Sequence, residues 1–418
     1  MLDIQFIRDN PDLVAKKAKE KAIQVDLKAF KELDARYTEL LQTIESERAS
    51  KNDQARFVAK EGVQDPAIRA KGKAIKEKLA KLETEFAEVS DKRAQLLQAI
   101  PNIHPDDTPL GGEEANKPEK HVGPAIKKTA KDHQTWAEEK GLLDFERGSK
   151  VAGSKFYFTK GSLVELEYAC IQFAMSVAIK HGFTPMSVPH MVNEKTANGT
   201  GFSPRGEEDQ IYSVVGEDLS LIATAEIPIT GYHAGEILDA KDLPVLYVGI
   251  SPAYRKEAGA YGKHSKGLYR VHQFNKVEMY VFCEGTMEES AKWHKKLVAI
   301  EEELCMALEI PYQIVRIAAG DLGAPAYKKY DIEYWSPVDG AYHELMSCSN
   351  VTDYQARRLK IRYKNTDGKN QLVHTLNGTA MAFSRVAIAL IENHQTKDGN
   401  VAVPKALQPF MSGKKEIK

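Results

Sequence analysis

Residues Arg255 to Met279 read RKEAGAYGKHSKGLYRVHQFNKVEM and contain the most specific structural signal in the chain. Two runs rich in β-branched and aromatic residues, Val245 to Tyr254 and Leu268 to Phe282, flank a connection rich in Gly, Lys and Ser. Runs of this kind joined by a glycine-containing connection predict a long antiparallel hairpin.

The charges on this hairpin indicate what it binds. Arg255 and Glu257 occupy alternate positions, so their side chains leave the same face of the strand, and Phe274, Lys276 and Glu278 alternate likewise on the return. A guanidinium suits a phosphate oxygen, a carboxylate suits an amine, and an aromatic ring can stack on a base. The hairpin therefore predicts a nucleotide site on a sheet. The alternative interpretation is a solvated hairpin face with cross-strand ion pairs.

The length and composition indicate a soluble globular protein with room for two domains. The chain has 418 residues, of which 42% are hydrophobic and 28% charged. The formal net charge of -1 gives no overall basic signature for nucleic-acid binding. Any contact with RNA must therefore come from a local basic patch.

The cysteines and the first residues bear on the compartment. The four cysteines show no C-x-x-C spacing, which predicts buried free thiols in a reducing compartment and no structural zinc; they are Cys170, Cys283, Cys305 and Cys348. The start, MLDIQFIRDNPDL, has acidic residues and no long apolar run. We therefore expect a cytoplasmic protein with no signal peptide, no transmembrane helix and no membrane partner.

The N-terminal region is predicted to be helical. Asn10 as N-cap, Pro11 at the first helical position and Asp12 in the first turn predict a short helix that runs to about Ala22. From about Leu27 the pattern becomes heptad-like, and it returns more regularly after residues 62–66. The apolar positions of the outgoing helix are Phe30, Leu33, Tyr37, Leu40 and Ile44; those of the return are Ile68, Ile75, Leu82, Val89 and Leu96, with Leu79, Phe86 and Ile100 at the second seam position.

This pattern predicts an antiparallel coiled-coil hairpin, whose arms of roughly 35 residues reach about 50 Å. The half of the arm near its turn is basic, since Arg48 to Glu77 contains eight Lys or Arg against four Asp or Glu. One interpretation is a dimerisation or spacer rod with a solvated charged face. The other is an arm that holds the phosphates of a structured RNA at a distance from the catalytic site.

Prolines and glycines between residues 101 and 118 predict a linker. The predicted organisation is an N-terminal helical domain at 1–105, a linker at 106–120 and a second domain at 121–418. In the second domain, Leu163 to Lys180 is predicted as an apolar helix ended by Gly182. The run Phe183 to Val188 is predicted as a strand that stops at Pro189.

Further along, Leu219 to Glu226 (LSLIATAE) is predicted as a strand that runs into Thr224, Ala225 and Glu226. A Thr and a carboxylate at this place are equally typical of a helix cap. Beyond the hairpin, Met287 to Leu308 is predicted as an amphipathic helix and Pro311 to Ile317 as a strand.

Two later segments contain candidate ligands for a nucleotide. In Tyr342 to Arg358, Glu344 and Ser347 are oxygen ligands of the sort that Mg²⁺ uses beside phosphates, although a surface Glu and a turn Ser would look the same. His374 to Gln395 is predicted as a strand entering a helix, with Arg385 as a fixed charge in the first turns. The strand has small residues at alternate places, which let a backbone pack against a flat ligand or sheet; they are Gly378, Ala380, Ala382 and Ser384.

The stretch from Arg255 to Met279 resembles the second signature motif of class II aminoacyl-tRNA synthetases, and its ending GLYRVHQFNKVEM resembles the seryl-tRNA synthetase version in particular. Residues 163–189 resemble the first class II motif, which forms the homodimer interface of the family, and residues 374–395 resemble the third. The TAE triplet at 224–226 and the N-terminal arm also resemble features of the seryl-tRNA synthetase family.

The resemblance implies an α+β fold: a class II catalytic domain on an antiparallel sheet, preceded by an antiparallel coiled-coil arm. It implies that serine and ATP form seryl-adenylate with release of pyrophosphate, and that the seryl group passes to the 3′ end of serine tRNA. Mg²⁺ is the implied cofactor beside ATP, and the arm is expected to embrace the long variable arm of the tRNA. Whether selenocysteine tRNA is also charged stays open.

The resemblance also implies roles for single residues. Arg255, Glu344 and Arg385 are the implied catalytic residues, with Arg255 on the α-phosphate, Arg385 at the γ-phosphate, and Glu344 with Ser347 as Mg²⁺ ligands. The implied ATP-binding residues are Arg255, Lys256, Glu257, Val271, Phe274, Glu344, Leu345, Met346, Ser347 and Arg385. The implied serine-binding residues are Thr224, Ala225, Glu226, Arg255, Glu278, Asn377 and Thr379.

The chain departs from the family pattern in two places. The motif-two loop reads AGAYGKHSKG rather than the commoner AGSAGRDTRG, and Ala380 and Ser384 stand where bacterial-type members commonly have glycine. These departures concern the acceptor-end contacts and the fit of ATP. Two rival functions are a ligase that loads an amino acid on a carrier protein, whose members typically lack the arm, and a nonenzymatic RNA-binding protein derived from a synthetase.

Overall fold

The structure is a computed structural model that describes residues 1–61, 66–127, 130–202, 210–257 and 266–418. These residues divide into two compact units, Met1–Pro101 and Asn102–Lys418. The predicted limits of the N-terminal domain at residue 105 and of the second domain at residue 121 differ from this division and remain predictions. Residues 62–65 of the predicted Gly62–Pro66 turn and residues 258–265 of the motif-two loop lie outside the described residues.

The helices of the first unit are α1 (Ile4–Asp9), α2 (Pro11–Glu20), α3 (Leu27–Glu61) and α4 (Pro66–Ala99). Those of the second unit are α5 (His133–Glu139), α6 (Phe145–Ala152), α7 (Ser162–Lys180), α8 (Glu194–Thr200), α9 (Glu226–Tyr232), α10 (Met287–Ala307), α11 (Tyr354–Leu359) and α12 (Phe383–Asn393).

The strands are β1 (Lys117–Val122), β2 (Leu143–Asp144), β3 (Phe158–Thr159), β4 (Thr184–Ser187), β5 (Met191–Val192), β6 (Ser220–Leu221), β7 (Ile237–Asp239), β8 (Val245–Tyr254), β9 (Gln273–Cys283), β10 (Tyr312–Arg316), β11 (Lys328–Ser336), β12 (Ala341–Thr352), β13 (Arg362–Lys364), β14 (Asn370–Leu372), β15 (His374–Ala382), β16 (Val401–Ala402) and β17 (Glu416–Ile417).

The start of the chain differs from the sequence prediction. An additional helix, α1, precedes the predicted one, and the Asp3 carboxylate caps it by accepting from two backbone N–H groups. Asn10 does not cap α2 with its side chain, because its amide donates to the Phe6 carbonyl oxygen instead. α2 ends at Glu20, two residues before the predicted end at Ala22.

The predicted coiled-coil hairpin is confirmed: α3 and α4 have 35 and 34 residues and run antiparallel. Ion pairs cross between them, with Arg36 2.6 Å from Glu85 and Lys78 2.6 Å from Glu47. At the base of the return helix, Leu97 rather than the predicted Leu96 is fully buried. A straight helix drifts relative to a seven-residue repeat, which accounts for this one-position difference.

The second unit is built on an eight-stranded sheet in the order β1-β10-β11-β12-β15-β9-β8-β4. Every neighbouring pair is antiparallel except β4 and β8, so the predicted antiparallel architecture is confirmed. β8 has the predicted bounds and pairs with β9 from Val245 opposite Phe282 to Tyr254 opposite Gln273. The return strand begins at Gln273 and not at Leu268, because residues 267–269 form a 3₁₀ turn that begins at Gly267 with φ +59°.

The core of this unit lies between one face of the sheet and the helices α7, α10 and α12. Among the described helices, α7 alone is long and apolar enough to cross a membrane. The core helix of a soluble protein meets the same criterion of length and hydropathy. The inner face of α7 is buried, with Leu163 and Leu166 at most 1% exposed. α7 is followed by Gly182 at φ +92°, as predicted for its end. The four cysteines are buried free thiols, as predicted.

Candidate active site

Two neighbouring cavities open on the face of the sheet away from α7 and α10. The first, about 590 Å³, lies between the end of β8, the middle of β9, β12 and the segment before α9. The second, about 830 Å³, lies over β11 and the start of β12. Arg270 and Lys329 line both cavities. Among the predicted site residues, the first cavity is lined by Thr224, Glu226, Arg255, Glu257, Glu278, Ser347 and Asn377, and the second by Glu344.

The hairpin brings its predicted charges to the first cavity. Arg255 and Glu257 lie just beyond the end of β8, and the Arg255 N–H continues the ladder by donating to the His272 carbonyl oxygen at 3.0 Å. The Arg255 guanidinium lies 5.5 Å from the centre of the Phe274 ring. Glu257 forms an ion pair with Arg270 at 3.1 Å, so the Arg270 guanidinium is a second cation at the first cavity.

Arg255 is a half-buried cation in an environment that disfavours its charge. Burial, and then the nearby charge of Arg385, lower the pKa of Arg255. Among the described residues, no carboxylate forms an ion pair with Arg255, and its Nε donates to the Ala223 carbonyl oxygen at 3.4 Å. A guanidinium held in this way favours an incoming anion.

Arg385, in the first turn of α12, forms an ion pair with Glu344 on β12, with 2.6 Å between Nη1 and Oε1. Its guanidinium also lies over the Tyr269 ring, 5.0 Å from the centre. Burial acts to raise the pKa of Glu344, but the charges of Arg385 and Lys329 outweigh it and lower that pKa to about 2. The carboxylate is therefore ionised and is available to a cation or a metal ion.

A one-residue β-bulge decides which side chains of β12 face the cavities. Ile332 pairs with Met346 whereas Glu333 pairs with Glu344, so Leu345 is an extra residue in β12. Strict alternation would send Glu344 and Ser347 to opposite faces. With the bulge, both face the cavities, while Leu345 and Met346 are each 1% exposed in the core. Any contact of those two residues with a ligand is therefore made by backbone atoms.

Two buried carboxylates form the other end of the first cavity. Glu278 is 1% exposed and lies 2.6 Å from the Lys276 ammonium. Glu226 is 6% exposed and accepts a hydrogen bond from the Gln355 amide at 2.7 Å. Burial, and then the charge of Glu278, raise the pKa of Glu226 to about 7. The pair thus forms an acidic pocket that suits an ammonium group.

The TAE segment adopts the helix-start arrangement that was one of its two interpretations. The strand here is only Ser220–Leu221, so the prediction of a strand to Glu226 was wrong, and Glu226 is the first residue of α9. The Glu226 N–H donates to the Thr224 hydroxyl at 3.3 Å. Ala225 is fully buried against Gly249, where an added Cβ would lie 2.8 Å from the Ala225 methyl. This close approach holds Glu226 over the sheet.

Other predicted site residues are not among those that line the two cavities. Val271 is 1% exposed in the core, and the Lys256 N–H donates to the Gln210 carbonyl oxygen. Thr379 is 3% exposed, and its Cα lies opposite that of Glu278. A bulge between Thr379 and Met381 interrupts the ladder here.

Sequence reasoning missed Gln355, Lys329 and Asp331. The Gln355 carbonyl oxygen accepts from the Tyr280 and Thr375 hydroxyls, at 2.7 and 2.9 Å, which directs its amide at Glu226. Lys329 and Asp331 form an ion pair at 2.9 Å within β11. The only signal was the alternation of 329 and 331 in an unassigned segment; Gln355 gave none, because its partners are distant in the chain.

The site offers few ligands for a metal ion. Within the described parts of the chain, no group of three or more His, Cys, Asp or Glu side chains is arranged to hold a metal ion. Glu344 and Ser347 are oxygen donors of the type that Mg²⁺ takes when substrate phosphates complete its shell.

Comparison with known proteins matches two families. The seryl-tRNA synthetase N-terminal domain matches residues 1–104, and the tRNA synthetase class II core domain (G, H, P, S and T) matches residues 212–394. A serine--tRNA ligase of Treponema denticola is 44% identical and one of Rubrobacter xylanophilus 43% identical, each over 98% of both chains. Seryl-tRNA synthetase from Pyrococcus horikoshii, solved with ATP, has a TM-score of 0.89 at 42% identity over 100% of this chain and 99% of that one. Cytoplasmic serine-tRNA ligase from Naegleria fowleri, solved with AMP, has a TM-score of 0.84 at 31% identity with the same coverage.

Proposed function

The chain belongs to the seryl-tRNA synthetase family, and we propose that the two cavities are where it activates serine with ATP before charging serine tRNA. The reaction is that of a ligase: serine and ATP form seryl-adenylate and pyrophosphate, and the seryl group then passes to the tRNA. The observation that carries the assignment of the site is the convergence of Arg255 and Arg385 beside the acidic pocket of Glu226 and Glu278.

The phosphates belong at the two guanidinium groups. In the first step the serine carboxylate attacks the α-phosphorus, an oxygen–phosphorus bond forms, and the bond to the β-phosphate oxygen breaks. Charge develops on the phosphate oxygens, so fixed cations lower the barrier without any nucleophilic side chain. We assign Arg255 to the α-phosphate and Arg385 to the γ-phosphate on family resemblance. The position of Arg255 on the first cavity, which Glu226 and Glu278 also line, supports its part of this assignment.

The serine belongs at the acidic end. Glu226 and Glu278 accept from its ammonium group, and Gln355 keeps the Glu226 carboxylate in place. Thr379, with Asn377 beside it, is assigned to the serine hydroxyl, and the Thr224–Ala225 backbone forms the adjoining wall. The position of Asn377 on the cavity and of Thr379 opposite Glu278 supports this arrangement.

The adenine belongs on the hairpin. Phe274 offers its ring for stacking, and Glu257 accepts from the exocyclic amine, with Lys256 and Val271 close by. Glu344 and Ser347 would hold Mg²⁺, which would supply positive charge to offset the negative charge of the phosphates. Glu344 pairs with Arg385 in the structure and would then share its charge between the arginine and the ion.

The remaining assignments concern partners and location. We propose that the basic outer part of α3 and α4 binds the serine tRNA. A direct charging assay decides whether selenocysteine tRNA is also a substrate. A homodimer through α7 and β4, the elements that resemble the first class II motif, is proposed on family resemblance. A cytoplasmic location without a membrane partner is supported by the four buried free thiols.

Amino-acid-dependent exchange of pyrophosphate into ATP tests the proposal. Serine should support exchange, whereas threonine, alanine and glycine should not, and charging of serine tRNA should follow the same order. Equal exchange with alanine and serine would contradict the assignment of the serine pocket. Transfer to a carrier protein rather than to tRNA would favour the carrier-ligase alternative.

A further inference from the structure

A buried histidine–glutamate pair holds the short turn that joins the motif-two loop to β9. The Leu268 N–H in this turn donates to the His133 Nε2 atom at 3.1 Å. The His133 Nδ1 atom lies 2.9 Å from an oxygen of Glu392 at the end of α12. Both side chains are nearly inaccessible, with 6% and 5% exposed. The reaction described above assigns no role to either residue.

The hydrogen bonds fix the protonation of this histidine. A backbone N–H can only donate, so Nε2 of His133 is the acceptor and the ring proton lies on Nδ1, which donates to Glu392. The other oxygen of Glu392 accepts from the Ser336 hydroxyl at 2.8 Å. The imidazole is therefore held on both sides, and its position fixes that of Leu268.

The turn is shaped to fit against the histidine. Gly267 has φ +59°, and a Cβ added to it would lie 2.2 Å from His133 Nε2. Only glycine therefore allows the Leu268 N–H to come so close to the imidazole. A second anchor lies alongside, because the Lys266 ammonium forms an ion pair with Asp132 at 2.8 Å.

The turn leads directly to the phosphate site. Tyr269 follows Leu268, and its ring lies beneath the Arg385 guanidinium, with 5.0 Å between the guanidinium carbon and the ring centre. Both ends of α12 therefore contact residues 266–269. Arg385, near the N-terminal end of the helix, contacts Tyr269, and Glu392, near the C-terminal end, contacts Leu268 through the imidazole of His133. A shift of Leu268 would move the surface on which Arg385 rests.

We propose that His133 is a positioning residue for the phosphates of ATP: through the Leu268 N–H it keeps Tyr269 beneath Arg385 and so fixes that guanidinium for the triphosphate. This inference rests on the proposed role of Arg385. Glu392 serves by holding the imidazole in the tautomer whose Nε2 accepts.

Two substitutions at His133 separate its two hydrogen bonds. Gln places its amide oxygen near the position of Nε2 and keeps an acceptor for Leu268, whereas Asn keeps a donor for Glu392 and loses that acceptor. His133→Asn should raise the KM for ATP in serine-dependent exchange about tenfold and leave the KM for serine unchanged, as expected for the loss of one buried hydrogen bond. His133→Gln should restore the KM for ATP to within about threefold of the parent value.

A double-mutant cycle tests the route through the tyrosine. In a Tyr269→Ala background, His133→Asn should add no further change in the KM for ATP, because the two substitutions interrupt the same contact chain. His181→Asn is the control, since His181, just after α7, forms a 2.7 Å pair with Glu303 of α10 that is more exposed than the His133–Glu392 pair; both KM values should stay unchanged. Thermal unfolding of every variant reports on folding.

The inference is overturned by three results: an unchanged KM for ATP in His133→Asn, a parallel rise of both KM values, or additivity in the Tyr269→Ala background. If His133→Asn does not fold, Gly267→Ala decides, since it displaces the turn from the imidazole and should raise the KM for ATP alone. Failure of the proposed function would be seen separately, as absence of serine-dependent exchange in the parent protein or as normal exchange in Arg385→Ala.

Discussion

Arg385 and Glu344 form a 2.6 Å ion pair between the first turn of α12 and the first third of β12, although 41 positions separate them in the sequence. Burial disfavours both charges, yet the pairing raises the pKa of Arg385 and, with Lys329, lowers that of Glu344. The pair keeps a cation and an anion ready at the place where the triphosphate and its metal ion are proposed to bind.

The first prediction concerns the two arginines. Arg255→Ala and Arg385→Ala should each lower serine-dependent exchange by about 10²- to 10³-fold or more, because each removes a fixed cation from a developing phosphate charge. Steady-state exchange measures the loss, and circular dichroism checks the fold. Arg316→Ala, which removes a 2.8 Å pair with Asp107 on another part of the unit, is the control and should exchange normally. Near-normal exchange in either test variant would place the phosphates elsewhere.

The second prediction concerns pH and serine binding. The pKa of Glu226 is raised to about 7, so this carboxyl group is largely protonated at pH 6 and ionised at pH 8. The KM for serine should therefore fall as pH rises from 6 to 8, because the ionised form accepts the serine ammonium. Glu226→Gln should have a higher KM that no longer depends on pH in this range. A flat profile for the parent protein would remove Glu226 from the ammonium site.

The third prediction concerns pH and stability at the same residue. Between pH 4.5, the ordinary pKa, and about 7, the folded protein retains a proton on Glu226 that the unfolded chain has released. In this window the folded state binds one proton more than the unfolded state. The free energy of unfolding therefore decreases as pH rises from 4.5 to about 7. Denaturant unfolding at several pH values should show a shallower decrease in Glu226→Gln. Identical slopes in both proteins would contradict the raised pKa.

The fourth prediction concerns the choice of amino acid. Thr379 is assigned to the serine hydroxyl, and a site that hydrogen-bonds a hydroxyl disfavours an analogue without it by about 10⁴-fold or more. Thr379→Val should narrow the gap between serine and alanine in pyrophosphate exchange, whereas Thr379→Ser, which keeps the hydroxyl, should preserve it. An unchanged serine preference in Thr379→Val would mean that another group reads the hydroxyl.

The fifth prediction separates activation from charging. Replacement of Leu41 to Ala87 by a short flexible Gly/Ser loop removes the outer arm and leaves the buried Leu40 and Val89 in the two helical stubs. Serine-dependent exchange should stay nearly intact, because it needs no tRNA. Charging should fall steeply through weaker tRNA binding, and the intact protein should lose tRNA affinity with rising salt more steeply than the deletion variant does. Equal charging by both proteins would make the arm a spacer or an oligomerisation rod.

The elements whose signals are local could be predicted from the amino-acid sequence. The bounds of β8, the two long helices and the strand-to-helix passage at Arg385 follow from apolar periodicity, from glycine and proline positions, and from turn chemistry. Each of these signals involves residues only a few positions apart, so it can be recognised in the sequence without knowledge of the tertiary structure. The candidate site residues on the hairpin could be predicted from the sequence for the same reason.

Which side chains meet in the site depends on the packing of segments that are distant in the chain. The bulge at Leu345 brings Glu344 and Ser347 to one side of β12, and nothing in the local sequence predicts it, because a bulge is set by the register of the neighbouring strand. Gln355 beside Glu226 and His133 beside Leu268 are likewise pairs from distant segments. Their hydrogen bonds form only when the sheet and the helices around it have packed, since burial is what makes an unpaired polar group costly and its partner necessary.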